Sequence, residues 1–525
     1  MRMRGVISGM SSQMELQQLA AEWAQRSLAQ CFAEEGERAQ RYRFETAGLC
    51  LDLSRQFLDE ATLQALLRLA RERDLAGHCA ALFGGEAVNP SEDRAALHMA
   101  LRDPHRRAWR DRGEPVGDAV HEQLEALQAF VSAVHAGHKT GVGGQSFTDV
   151  INIGIGGSHL GPQLVTSAVD PAAQGLRAHF LSNVDPDQRA RTLAGLDPER
   201  TLVVVVSKSF TSRETLLNAR AVRDWLTAAA GEAAVARHFC AVSTNDPAVA
   251  EFGIDPTQQF RFWDWVGGRY SVWSTVGLAA ALVVGTEGFA RLLQGASEMD
   301  RHFEQTPLER NLPALLGLSG YWNHAHLGWG TRAVVPYADR LRDFPAYLQQ
   351  LEMESNGKGV DRDGKPVRVS APITWGGIGT DAQHSFFQLL HQGPGGAPVE
   401  FVLPAREGDE AGRVLTANCL AQAQALMQGS SAGDPYGDCP GNRPSTLIQL
   451  PRMDARGLGA LIALYEHRVF VEAVLWGVNP FDQPGVELGK RLARDAEQAL
   501  SGDRDTGMDE AARAALDWIE TRTGD

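Results

Sequence analysis

The chain has 525 residues, 43% hydrophobic and 22% charged, which excludes disorder and low complexity and exceeds what one hydrophobic core usually serves. Fifty Lys and Arg against 65 Asp and Glu leave a net charge of −15, so nucleic acid is excluded as an expected partner and an anionic ligand must be drawn in by a local site. Six scattered cysteines without a C-x-x-C exclude a disulfide framework. The first residues lack the apolar run of a secretory signal, and the best apolar run, 277–285, is far shorter than the ~18 residues needed to cross a bilayer, so a cytoplasmic protein with no membrane partner is expected.

In chain order, leucine-spaced runs predict helices over 13–72. NPSEDRAALHMAL at 89–101 reads as a helix start with Ser91 as N-cap and Glu92 and Asp93 in the first turn. A glycine-rich connection at 138–149 then leads into a different pattern. VINIGI (150–155) is a strand followed by a helix, TLVVVV (201–206) is a buried strand followed by the helix ETLLNARAVRDWL, and FCAVS (239–243) is a third strand. A second series runs RAVVPY, VRVSAPITW, VEFVLP and STLIQL from about 331 onward. Such alternation predicts an α/β protein with two parallel sheets and crossover helices.

Ligands of such sheets sit where strand ends lead into helix N-termini. One loop of this kind is Gly154-Ile-Gly156-Gly157-Ser158, whose missing side chains let backbone N–H groups approach an anion. No Gly-Lys-Ser/Thr follows, and His159 stands where a dinucleotide fingerprint needs its third glycine. The next unit carries Ser207-Lys208-Ser209-Phe210-Thr211-Ser212, four hydroxyls and one ammonium within six residues. Alone, each loop reads equally as a turn capping a helix; together, on consecutive units, they favour a phosphate monoester.

FPAYLQQLEMESNGKG (344–359) predicts a helix with an apolar stripe of Phe344, Tyr347, Leu348 and Leu351. Glu354 falls on that stripe and Glu352 does not. A carboxylate there is partly desolvated and near the negative end of the helix dipole, the setting of a base; pairing with Lys358 across a frayed helix end is the competing reading. In ITWGGIGTDAQHSFFQLLHQG, Thr380 or Asp381 caps a helix with His384 in its first turn, where a neutral ring able to shuttle protons is favoured; a structural histidine fits the same pattern. Arg269 in GGRY suits an anionic intermediate or a cation–π contact with a nearby tryptophan. Lys490 lies with Val486, Gly489 and Ala493 on one helix face, and either function or loose pairing along the helix explains it. His324 and His326 point apart on a probable helix, and no metal-ligand spacing stands out.

INIGIGGSHLGP, DWVGGRYSVWSTVGLAAAL, LEMESNGKGV, GTDAQHSFFQLLHQG and NPFDQPGVELGK, in that order, resemble the glucose-6-phosphate isomerase family over about 89–493. The resemblance implies two sugar-isomerase-type three-layer αβα domains with parallel sheets, one over 110–287 and the other over 1–109 and 288–525, with helical N-terminal and C-terminal extensions. It implies that Ser158, Ser207, Lys208, Ser209 and Ser212 surround a sugar phosphate, with Gly157 and Gln483 also binding substrate. Glu354 would move a proton between C1 and C2 through a cis-enediolate, Arg269 would stabilise that enediolate, and His384 with Lys490 would open the sugar ring. It further implies catalysis without metal or cofactor, and a homodimer in which His384 is contributed across the interface. Ser209 and Ser212 replace common threonines and Arg213 a common glutamine; Gly377-Ile378 and His159 are further departures. The alternatives are a non-catalytic sugar-phosphate sensor and an isomerase of a related sugar phosphate.

Overall fold

The computed structural model describes residues 11–46, 48–169, 175–406, 408–502 and 507–523. Helices Ser12–Trp23, Leu28–Glu34 and Glu60–Glu72 occupy much of the predicted N-terminal helical region, but β1 (Arg43–Thr46) and β2 (Leu49–Asp52) interrupt it as an antiparallel hairpin. Leu49 and Leu51 are buried because β2 adds to the edge of a sheet formed some 400 residues later, a tertiary pairing that overrides local helix propensity. The helix expected at 89–101 is also absent. Backbone bonds between Asn89 and Arg94 close a turn, the Ser91 hydroxyl donates to Asn89 Oδ1 at 3.1 Å, and helical residues begin only at the 3₁₀ turn His98–Arg102.

After a two-residue hairpin of β3 (Arg110–Asp111) and β4 (Glu114–Pro115), the first strand–helix series follows. β5 (Asp149–Ile153), β6 (Arg177–Leu181), β7 (Thr201–Val206), β8 (Phe239–Val242) and β9 (Gln259–Phe260) form an all-parallel sheet in the order β6-β5-β7-β8-β9. β5 and β7 are buried at every position, as central strands covered on both faces must be. Ile151, Val203, Val205, Val222, Leu226 and Phe239 belong to the core of this layer.

The second series supplies β10 (Thr331–Pro336), β11 (Ile373–Gly376), β12 (Val399–Pro404) and β13 (Ser445–Leu450). They are mutually parallel, and with the N-terminal hairpin they make a six-stranded sheet ordered β1-β2-β13-β12-β10-β11, mixed at one edge rather than purely parallel. Its own core includes Val335, Tyr337, Phe387, Phe401 and Leu426. Both sheets belong to a compact unit spanning Met1–Pro480, whereas Phe481–Asp525 forms a second unit containing helices Glu487–Leu500 and Glu510–Thr523.

The helical stretch Thr275–Gln305 is longer than the apolar run at 277–285 and meets the length and composition of a membrane span, although Gly285, at φ +75°, interrupts its helical backbone. The difference arises because the helix dilutes a few charges among Ala, Gly and Leu instead of keeping one unbroken run. Within the protein, 61% of its most apolar stretch is buried, and its Asp300 carboxylate accepts two bonds from the buried Arg102 at 2.7 and 2.8 Å.

A larger ionic cluster joins β10, β12 and helix Ala455–Trp476. Arg332 and Arg468 sit among Glu352, Glu400 and Glu472, all nearly inaccessible to solvent. Arg468 reaches Glu400 at 2.9 Å and both Glu352 and Glu472 at 3.1 Å, while the Tyr465 hydroxyl donates to Glu400 at 2.8 Å. Two cations cannot neutralise three buried anions, and burial raises Glu400 from 4.5 to about 8 despite Arg332 beside it. The cluster thus retains a proton at neutral pH.

Arg468→Met should cost about 3–5 kcal/mol in chemical denaturation, because it strands buried carboxylates. The raised Glu400 carboxyl contributes stability that is complete below pH 4.5 and is lost as pH rises toward about 8. Glu400→Gln should therefore flatten the fall in melting temperature between pH 5 and pH 8.

Candidate active site

β5 and β7 are hydrogen-bonded neighbours, so the loops leaving their carboxyl ends lie side by side. The first leads through Gly156, at φ +60°, into helix Gly157–Ala168. A Cβ on Gly157 would fall 1.9 Å from the Gly268 carbonyl oxygen, so only glycine permits this backbone to pack on the GGRY turn. Ser158 is half-buried, and its carbonyl accepts a 2.9 Å bond from the Asn152 side chain.

The second loop enters helix Arg213–Ala230 with Ser212 at the N-cap position, but the Ser212 side chain makes no capping bond. Instead the buried Ser207 hydroxyl donates to Ser212 Oγ at 3.3 Å, and Ser209 and Thr211 share a 2.5 Å bond. The simple capping explanation of this serine-rich turn therefore fails. Phe210, at φ +51°, anchors the loop in the first core. Ser243 and Thr244, just beyond β8, donate to the Lys208 carbonyl at 3.0 Å, and Asn245 donates to that of Ser209 at 2.8 Å. The Lys208 ammonium pairs with Asp264 at 2.7 Å and holds that carboxylate below its ordinary range. Hydroxyls, an ammonium and two helix N-termini thus share one end of the sheet, a constellation suited to a small phosphate monoester.

Arg269 and Glu354 come together beside these loops. Arg269 is 3% exposed and donates from Nε to Ser355 Oγ and from Nη2 to the Pro480 carbonyl, both at 2.6 Å. Its Nη1 lies 3.6 Å from Glu354 Oε1. A guanidinium fixed by these bonds beside a carboxylate provides a cation where negative charge would develop next to a base. The ring 5.5 Å from Arg269 is that of Tyr270 rather than a tryptophan, and Tyr270 meets the same Ser355 hydroxyl at 2.9 Å.

Phe344, Tyr347, Leu348 and Leu351 are all buried, as the stripe predicts. The helix is α only over Phe344–Leu348 and continues as a π-helix over Gln349–Glu354. Its wider turn aligns residues five apart, so Glu352 follows Tyr347 inward and is 2% exposed, which corrects its expected place off the stripe. Glu354 keeps a side chain 22% exposed. The Lys358 ammonium caps the carbonyls of Glu354 and Ser355 at 2.9 and 2.8 Å. Gln350, which the sequence analysis missed, brings its amide toward the phosphate-type loop: a Cβ on Gly156 would lie 2.9 Å from Gln350 Nε2. Asp264 was missed too, hidden between two tryptophans.

His384 is not in the first turn of an α-helix. It ends the 3₁₀ turn Asp381–His384, is exposed, and is followed by Ser385 in a non-helical conformation before helix Phe387–Gln392 begins. That helix starts where Phe387 and Leu390 enter the core, not where Thr380 or Asp381 offers a cap; Thr380 makes no capping bond. In the C-terminal unit, Gln483 is half-buried immediately before the 3₁₀ turn Pro484–Val486. Lys490 is exposed on helix Glu487–Leu500 and bonds to Glu487 at 2.7 Å, the pairing along the helix that its spacing allows. His324 and His326 lie on a π-helical turn, and no metal-binding cluster occurs among the described residues.

The family model for phosphoglucose isomerase matches residues 52–516. Glucose-6-phosphate isomerase 1 of Cupriavidus pinatubonensis is 47% identical over 512 residues, covering 93% of this chain and 94% of its own length. Glucose-6-phosphate isomerase of Brucella ovis is 45% identical over 527 residues, covering 96% of each chain. A crystal structure of a glucose-6-phosphate isomerase from Chlamydia trachomatis superposes with a TM-score of 0.86 at 34% identity, covering 98% of this chain and 99% of its own. With this match along nearly its whole length, the chain belongs to the phosphoglucose isomerase family.

Proposed function

We propose that the protein interconverts glucose 6-phosphate and fructose 6-phosphate, in line with relatives named glucose-6-phosphate isomerase. The observation that carries this reading is the Glu354 carboxylate 3.6 Å from the buried Arg269 guanidinium, beside two anion-type loops. In this reading Ser207, Lys208, Ser209, Ser212 and Ser158 hold the phosphate, with Gly157 and Gln483 contributing to substrate binding. Binding the phosphate turns a bimolecular encounter into a positioned one and sets the sugar carbons against Glu354. Glu354 removes the proton from C2 of the aldose and returns it to C1 of the ketose; the developing enediolate charge falls on the side facing Arg269. His384 and Lys490 serve the ring oxygen and adjacent hydroxyl when the cyclic sugar opens. Aldose and ketose are isomers, so the reaction calls for no net redox partner.

The same reading divides the chain into one domain over 110–287 and another over 1–109 and 288–525, with action in the cytoplasm. It also makes the protein a homodimer in which His384 serves the neighbouring protomer's site. In support, His384 is exposed with Ile373 and Leu389 nearby in sequence, large apolar side chains 60% and 51% exposed, and helix Glu487–Leu500 leaves Leu488 and Leu492 half in solvent.

Glu354→Gln should lower kcat at least about 100-fold in a coupled assay with glucose 6-phosphate, while substrate binding by calorimetry persists. Intact turnover would remove the carboxylate from the mechanism, and lost binding would make its role structural. Mixing inactive Glu354→Gln and His384→Ala proteins under subunit exchange should restore about a quarter of wild-type activity, because one of the two sites in each mixed dimer is then complete. No recovery after verified exchange would place both residues of a site on one chain.

A further inference from the structure

Tyr337 directly follows β10 and is fully buried, and its backbone N–H continues the sheet ladder to Val402 at 2.8 Å. Its ring packs on Phe401 with centroids 5.9 Å apart. The other face of its surroundings is the segment leading to His384. A Cβ on Gly379 would lie 2.5 Å from Cε2 and Cζ of Tyr337 and 2.6 Å from Cε1, so the Gly379 backbone lies directly on the phenol ring. Four residues later, Gln383 Nε2 donates to the Tyr337 hydroxyl at 2.7 Å. Between them, the Gly379 N–H bonds to the Pro336 carbonyl at 2.9 Å, and Ala382 is buried in the core that contains Tyr337. One aromatic side chain therefore holds both ends of residues 379–383.

We propose that Tyr337 is a positioning residue for His384, acting through the Gln383 bond and the Gly379 contact rather than by touching substrate. This rests on the reading of His384 as the group that opens the sugar ring. Residue 384 is the next in the chain after Gln383 and projects from a short 3₁₀ turn in solvent, where its own backbone offers little restraint. The sheet-anchored phenol supplies that restraint. Burial pushes the Tyr337 phenol up to about 12, so its hydroxyl stays protonated across the working range and the clamp does not loosen with pH. A small displacement of an acid–base group costs rate without changing how tightly the distant phosphate is held.

The experiment separates ring opening from proton transfer. In a Glu354→Gln background, which cannot isomerise, enzyme-catalysed exchange between the α and β anomers of glucose 6-phosphate is followed by NMR. Adding Tyr337→Phe keeps the ring against Gly379 and Phe401 and removes only the hydroxyl; anomer exchange should fall about tenfold, with glucose 6-phosphate affinity changed less than about twofold. Gln383→Leu, a change at the surface end of the same bond, should give the same loss, and the two together no more than either alone. Undiminished exchange with either folded variant, or equal losses of exchange and affinity, overturns the proposal. Adding His384→Ala to the same background is the reference: if that leaves exchange unaltered, the ring-opening role of His384 fails, and the proposal with it.

Discussion

Two guanidinium groups locked among three carboxyls are the constraint around which the larger sheet is built. Arg332 comes from β10, Glu400 from β12, Arg468 and Glu472 from the helix behind them, and Glu352 from the π-turn. Thr374 of β11 donates to Glu352 as well. Charges this far from water are tolerated only when each has a partner in place, so the cluster admits one arrangement of strand, helix and turn. Glu354 is two residues beyond Glu352 on the same turn. The proposed base is thus carried on a piece of backbone whose inner side is fixed by ionic bonds and whose outer side faces the site.

A second set of contacts brings the other half of the site to this turn. Arg269 joins the GGRY segment to Ser355, and the absent side chain of Gly157 lets the loop after β5 lie on Gly268. The hydroxyl-rich loop after β7 is held from the far side by Ser243, Thr244 and Asn245. Segments far apart in the sequence meet through main-chain contact and one guanidinium, so few side chains are consumed in assembly. This division of labour places rigidity in backbone and buried charge, and leaves the proposed chemistry to the few groups that project from them.

What the sequence revealed follows the range of the forces involved. TLVVVV announces a strand covered on both faces because its burial is written in every residue, and SKSFTS announces a candidate anion site because its donors are contiguous. The stripe from Phe344 to Leu351 was legible from helical spacing. Glu352 was not, because a π-turn changes the period by a fraction of a residue and leaves no compositional mark. The β1–β2 hairpin was hidden inside a helix-favouring stretch because its partner strand, β13, lies at the other end of the unit. Ser91 looked like a cap until Asn89 and Arg94 closed a turn around it. His384 was singled out for its chemistry, and its place in the fold differs from the reading because the core residues Phe387 and Leu390 decide where that helix starts.

The contact between Gly157 and Gly268 has a pharmacological corollary. Most binding pockets can be reshaped by exchanging one side chain for another, and that is how targets escape an inhibitor. In the proposed site part of the wall is bare peptide, and any substituent added at Gly157 would collide with the carbonyl it rests on before it reached a drug. A compound anchored to those amides would leave the enzyme few viable routes to resistance.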